Sequence, residues 1–187
     1  MPIPGSGRGK VAACQQRICD PAAMDKAELT VRLATPDDAE VVARLLHDFN
    51  IEFDTPSPGV DVLAPRLRDL LAGEDTFAIL AGDPPVGLAL VTVRPNVWYA
   101  GPVALLDEMY VVPDLRDQGI GSAVIEHLLA LARERGYGMV EINVDEGDVD
   151  TQRFYRHHGF ANTEDGSTER AFYFFQELAE GAHPLGR

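Results

Sequence analysis

The sequence predicts a mixed α/β fold of the α+β kind, and three observations carry that prediction. Stretches of alternating apolar residues are interleaved along the chain with stretches of helical periodicity, as in a layered domain. Phe77-Ala-Ile-Leu-Ala81 and Val86-Gly-Leu-Ala-Leu-Val-Thr-Val93 flank the turn Gly82-Asp83-Pro84-Pro85, which reads as an antiparallel hairpin. The apolar run from Val103 to Val112 leads through a polar loop into an amphipathic helix and then into Met139-Val-Glu-Ile-Asn-Val144. A right-handed strand–helix–strand connection makes those two strands parallel.

In chain order, residues 1–28 read as a leader without a core of its own, because Pro2, Pro4, Gly5, Gly7, Gly9 and Pro21 interrupt any periodic pattern. Residues 29–178 read as a single domain and residues 179–187 as a tail. Leu29 to Leu33 alternates as a strand. Thr35-Pro36-Asp37-Asp38 opens a helix, with Thr35 as N-cap, Pro36 at the first helical position and acids in the first turn. Val42, Leu45, Leu46 and Phe49 give that helix one apolar face. A second helix follows Asp61, with Leu63, Leu67, Leu70 and Leu71 inward and Gly73 at its end. The acidic and aromatic stretch from Asn50 to Gly59 between them reads either as a surface connection or as one wall of an acceptor pocket. After the hairpin, Asn96 to Gly101 turns the chain. The helix from Gly121 to Arg135 buries Val124, Ile125, Leu128, Leu129 and Ala132 and stops at Gly136. Asp148 or Asp150 caps a short helix carrying Phe154, Tyr155 and His158, and Ala171 to Phe175 forms the last strand.

Composition bounds the function. The 187 residues, 45% hydrophobic and 25% charged, suit one globular domain. Sixteen basic against 30 acidic residues give a net charge of −14, which opposes non-specific binding to nucleic acid or anionic membrane. The same charge favours encounter with cationic small molecules, or serves solubility alone. No apolar run approaches the roughly 20 residues that span a bilayer, and the start lacks the apolar core of a signal peptide, so a cytoplasmic location is expected. Cys14 and Cys19 have no partner pair and imply neither a zinc site nor a disulfide framework, so no metal is expected.

The stretch from Leu106 to Ser122 is the chemically informative one. A strand running through a polar loop into a helix leaves backbone N–H groups unpaired at the positive end of the helix dipole, which is an anion site. Gly9-Lys10 does not make a triphosphate loop, because Pro4 stands where the first glycine belongs and Val11 where Ser or Thr belongs. A dinucleotide loop would need a third glycine after Gly119-Ile-Gly121, and that position is Val124. What remains is Arg116-x-x-Gly119-x-Gly121 directly after Val111-Val-Pro113.

With Phe154-Tyr155-Arg-His-His-Gly159-Phe160 downstream, the segment from Leu105 to Phe160 resembles the acetyl-CoA-binding core of the GCN5-related N-acetyltransferase (GNAT) superfamily. The resemblance implies a twisted, mostly antiparallel sheet of six to seven strands with about four helices, its central parallel pair splayed around acetyl-CoA as co-substrate. It implies that backbone N–H groups from Gln118 to Ser122 hold the pyrophosphate, with Arg116 supplying charge and Asp117 and Ile120 in the same loop. The pantetheine arm would lie beside Met109 and Val111. Glycine at 119 and 121 lets phosphate approach the backbone closely, although a plain strand-to-helix turn would also accept both.

By the same resemblance Tyr155 is the general acid that protonates the departing thiolate, since a phenol of reference pKa about 10 stays protonated at neutral pH. A core tyrosine is the competing reading. The attacking amine must lose a proton, and Asp107 and Glu108 are the candidate bases. Strand alternation puts the two on opposite faces, so that only one points at the cleft, with Glu108 preferred. Either acid could equally be solvated or salt-bridged. Asp148 and its neighbours Asp145, Glu146 and Asp150 read first as a cap, and His157 and His158 as exposed.

The expected activity is acetyl transfer from acetyl-CoA to a primary amine of a cationic small molecule by direct attack, with Glu52, Asp54, Trp98 and Tyr99 as acceptor contacts. A protein N-terminus or lysine is the alternative acceptor, and a non-catalytic acyl-CoA-binding domain the alternative class. Homodimers are common among similar proteins, and no residue here decides that point.

Overall fold

The computed structural model of the chain describes residues 29–163 and 166–174. The leader, the tail, both cysteines and Phe175 lie outside these described residues. In chain order the elements are β1 (Val31–Leu33), α1 (Ala39–Glu52), α2 (Val60–Leu71), β2 (Thr76–Ala81), β3 (Gly87–Arg94), β4 (Val103–Val111), α3 (Ile120–Glu134), β5 (Met139–Ile142) and α4 (Val149–His157).

The five strands form one sheet in sequential order, antiparallel throughout except for the parallel β4–β5 pair at one edge. Period-2 alternation gives the sheet two apolar faces, most plainly in β2. Phe77, Ile79 and Ala81 face a core completed by Ile120, Val124, Ile125 and Leu128 of α3 and by Tyr155 of α4. Ala78 and Leu80 face a second core with Ala39, Val42, Leu45 and Leu46 of α1 and Ala64 and Leu67 of α2. The sheet is therefore a middle layer, with α1 and α2 on one side and α3 and α4 on the other.

Local signals explain the helix starts. A short 3-10 turn at Pro36–Asp38 leads into α1, and the Asp38 carboxylate accepts from the Thr35 backbone N–H at 2.7 Å and its hydroxyl at 3.0 Å. Arg32 adds two bonds to the same carboxylate, at 2.8 and 2.7 Å, and holds it well below the usual carboxylate range. In α2, Leu70 is 48% exposed rather than inward, because the buried stripe runs through Leu63, Ala64, Leu67 and Leu71 and leaves Leu70 at its edge.

The strand count differs from the expected six to seven. Five strands are present among the described residues, and 171–174 are not a strand, although their aromatic alternation suggests one. That segment bridges back to its own chain through Thr163 and Arg170, and Phe172 and Phe174 are 66% and 89% exposed. The sheet ends at β5, which stops at Ile142, two residues before the expected Val144.

One irregularity bears on function. Leu90 of β3 pairs with Glu108 of β4, while the next residue, Val91, pairs with Leu106. Asp107 is thus an extra residue, a β-bulge, and it resets which way the rest of β4 faces.

Candidate active site

β4 pairs with β5 only from Val103 to Leu106, yet it runs on to Val111. Beyond Leu106 its outer edge has no strand partner among the described residues, because the chain leaves β5 for the turn that opens α4. The result is a wedge with β4 on one side and α4 on the other. Tyr155 projects into it from α4, and its hydroxyl donates to the Met109 sulfur at 3.5 Å.

At the top of the wedge the chain makes a 3-10 turn over Pro113–Leu115, then passes through Asp117 at φ 59° and Gly119 at φ 83° into α3. The left-handed backbone at Gly119 suits glycine, since a side chain there would be strained. Among the described residues the N–H groups of Asp117 to Ser122 have no protein acceptor; the first helical bond is Ala123 N–H to the Gly119 carbonyl, 3.0 Å. Six adjacent donors without a protein acceptor thus gather at the positive end of a 15-residue helix, a cradle suited to an anion. At Gly121 a Cβ would come within 3.0 Å of the Met109 methyl and 3.5 Å of the Phe154 ring, so its glycine serves the packing of β4 and α4 on the helix start.

Arg116 does not face this cradle. Its guanidinium forms a bidentate pair with Glu52 at the end of α1, both bonds 2.7 Å, while Nε donates to the Val111 carbonyl at 3.0 Å. The same group lies 5.7 Å from the centre of the Tyr110 ring. Two residues read from sequence as contacts for opposite ligands are therefore joined into a clasp between the α1–α2 connection and the loop before α3. No local pattern announces it, because the partners are 64 residues apart.

The bulge corrects the expectation for the two acids. Leu106 and Met109 belong to the α3-side core, so both residues between them turn to the other face. Glu108 shares that face with Leu90 and Tyr110, and Asp107 accepts from the Thr92 hydroxyl at 2.6 Å on the same side. Asp107 and Glu108 thus stand together toward α1 and α2, beside the mouth of the wedge. Loss of water and then the neighbouring Asp107 charge push the Glu108 carboxyl up to about 7. The same desolvation raises Asp107, and Thr92 pulls it back.

Tyr155 is buried, with Phe154 and Phe160 at ring-centre distances of 5.1 and 5.4 Å. Burial first, then the charges of Asp148 and Glu108, raise its phenol well above the ordinary value, so it is protonated at any working pH. Packing makes it a core tyrosine and its hydroxyl makes it a wedge residue. The Asp148 side chain caps α4 at the Thr151 N–H, 3.0 Å, and Glu146 is paired with Arg170, so this acidic group has structural employment.

Several residues fall elsewhere than expected. Trp98, 86% exposed, and Tyr99 sit at the far end of the sheet, where β4 begins; the Tyr99 hydroxyl donates to the Met139 sulfur at 3.6 Å and its Cβ packs on Gly138. His157 is exposed as expected, but His158 is half-buried, with Nε2 3.2 Å from the Ser122 hydroxyl. His47 binds the Ser57 hydroxyl at 2.8 Å and Asn50 the Pro56 carbonyl at 3.3 Å, which brace the α1–α2 connection. Among the described residues no group of His, Cys, Asp and Glu is placed to hold a metal ion, and no helix is long and apolar enough to cross a membrane.

A splayed parallel strand pair over an anion cradle, with a tyrosine in the gap, is the framework of an acyltransferase, and comparison with known proteins agrees. The chain belongs to the acetyltransferase (GNAT) family, whose profile matches residues 41–160. It is 30% identical over 156 residues to an aminoglycoside N(6')-acetyltransferase type 1 of Stenotrophomonas maltophilia, covering 82% of this chain and 96% of that one. A peptidyl-lysine N-acetyltransferase of Salmonella typhimurium is 33% identical over 86 residues, 46% of this chain and 49% of that one. A crystal structure assigned as an acetyltransferase from Arthrobacter sp. FB24 is 54% identical, covers 80% of this chain and 96% of its own, and superposes with a TM-score of 0.76. The protein is an acyltransferase, and enzymes of its family use acetyl-CoA as co-substrate.

Proposed function

We propose that this enzyme moves the acetyl group of acetyl-CoA to a primary amine of a cationic small molecule by direct attack. The observation that carries the proposal is the bulge that turns Asp107 and Glu108 to the same face of β4, with the Glu108 charge acting on the Tyr155 phenol. Bound acetyl-CoA supplies an activated thioester and a thiolate leaving group. The N–H groups from Asp117 to Ser122 suit its pyrophosphate, since they are donors without protein acceptors. The edge of β4 at Met109 and Val111, which has no strand partner among the described residues and keeps only the Val111 carbonyl bonded to Arg116, suits the amide groups of its pantetheine arm, as in strand addition.

The acid pair attracts an ammonium group, and Glu108, poised near neutrality, takes its proton and frees the lone pair for attack. Tyr155 donates its phenolic proton to the departing sulfur, and its neighbour Met109 keeps the hydroxyl directed into the wedge. No cysteine lies among the described residues, which favours one-step transfer over a covalent thioester relay. The net charge of −14 and the likeness to an aminoglycoside acetyltransferase over nearly its full length support a polycationic small acceptor.

Thiol release from acetyl-CoA, followed across a panel of aminoglycosides, polyamines, amino acids and lysine peptides, tests this. Release that depends on a small polyamine-like or aminoglycoside acceptor is expected. Release with lysine peptides alone would transfer the activity to protein acceptors, and binding without release would make the chain a non-catalytic acyl-CoA sensor.

A further inference from the structure

Among the described residues His158 is the one half-buried imidazole whose ring reaches the cradle, and the catalytic scheme above does not use it. Its Nε2 lies 3.2 Å from the hydroxyl of Ser122, the third residue of α3, whose own N–H is among the unpaired donors. The ring is fixed. Phe154, one helical turn earlier, packs against it at 4.7 Å between ring centres, and the Phe154 edge lies 3.5 Å from where a Cβ on Gly121 would stand. Phe154 of α4 and His158, the cap at its C-terminus, therefore ride on the first turn of α3.

We propose that His158 is a positioning residue of the donor site: acting through the Ser122 hydroxyl, it makes binding of coenzyme A take up a proton. The proposal rests on the reading that residues 117–122 hold the coenzyme A pyrophosphate. When Nε2 carries a proton it donates to the Ser122 oxygen, which leaves the hydroxyl proton free to point at a bound phosphate. When Nε2 is bare it takes that proton itself and turns oxygen lone pairs toward the ligand. An imidazolium also places a positive charge beside the anion and at the C-terminus of α4, where the helix dipole favours it.

The charged groups acting on His158 are His157 on its own helix and Glu126 on α3. Burial, then His157, lower its pKa, and Glu126 opposes them. A phosphate arriving on Ser122 reverses that balance, and by linkage protonation must then strengthen donor binding.

Calorimetric titration of coenzyme A into wild type, His158→Gln and Ser122→Ala between about pH 6 and pH 8.5 tests this. The coenzyme's own phosphates titrate equally in all three, so the readout is the difference between the curves. Wild type is expected to bind about five- to tenfold more tightly than His158→Gln at the acid end and equally at the alkaline end, as a charge-assisted bond gained and lost requires. Uptake of up to one proton beyond the coenzyme's own, read from buffers of different ionisation heat, should vanish in His158→Gln and shrink in Ser122→Ala. An NMR titration of His158 in the unaltered protein, independent of how the variants fold, should show its pKa rise on adding coenzyme A. Parallel affinity curves with an unmoved His158 pKa would overturn this inference alone. Failure of wild type to bind coenzyme A at every pH would overturn the donor reading and this inference with it.

Discussion

The two sides of the wedge are built by different means. The side proposed for the donor is backbone: six N–H groups on consecutive residues, shaped by a left-handed glycine and the start of α3. The side proposed for the acceptor is side chains: Asp107 and Glu108 turned to one face by a bulge, Thr92 from the adjoining strand, and the Glu52–Arg116 clasp that ties the end of α1 down. A backbone cradle tolerates almost any side-chain change that keeps its φ angles and its space. A side-chain constellation changes with each residue. One family can therefore keep a single donor while its acceptors vary, with the variable part on a rigid sheet and its adjoining loops.

Substitutions can break this division. The largest effect is expected at Tyr155, which serves neither side's binding. Tyr155→Phe should lower kcat by about a hundredfold to a thousandfold while the dissociation constant of acetyl-CoA stays within about twofold, as loss of a general acid requires. Steady-state rates with a separate binding titration decide it, and an unchanged kcat would return Tyr155 to a packing role alone.

Next in size is the donor backbone. Gly119→Val forces a β-branched residue to φ 83°, a strain of about 1–2 kcal/mol, and should raise the KM for acetyl-CoA about tenfold or more. The KM for the amine should stay near the wild-type value. A rise confined to the amine would show that the two sides are not separate.

The smallest effect is expected at the clasp, which joins the sides. Glu52 and Arg116 are partly exposed, 27% and 39% at the side chain, so the pair is worth only about 0.2–1 kcal/mol. Glu52→Gln should loosen the α1–α2 connection and raise the amine KM by about two- to fivefold, with donor affinity nearly unchanged. If donor affinity shifts instead, Arg116 answers to the cradle, and the clasp belongs to the donor side.

The same division explains what could be read from the residues alone. The donor loop is local: Val111-Val-Pro113, Arg116, Gly119 and Gly121 lie together, and the helix expected from Gly121 to Arg135 forms at Ile120–Glu134. Hairpin and central strand were equally legible, because their alternation and turn residues sit side by side; Val103–Val112 becomes Val103–Val111. The acceptor side was not legible, for two physical reasons. A bulge breaks the period of two without any residue type that announces it, so strict alternation parted Asp107 from Glu108. Contacts such as Glu52 with Arg116 or His158 with Ser122 depend on tertiary placement of residues that are common on surfaces. Trp98 and Tyr99 illustrate the converse: the chain's charge suggested them as acceptor contacts, and the loop that carries them packs on the turn at Gly136 to Gly138.

Loss of water, and the Asp107 charge that the bulge sets beside it, bring the Glu108 carboxyl to about 7, and the proposed role of that carboxyl is to deprotonate the amine. As a base with a raised pKa, Glu108 is active above that pKa and lost as pH falls through it. The direct test is kcat/KM for the amine against pH in wild type and in Glu108→Gln. A rising limb with a midpoint near pH 7 is predicted for wild type, and for Glu108→Gln a loss of about a hundredfold at high pH with that limb gone. The same limb persisting in Glu108→Gln would contradict the account.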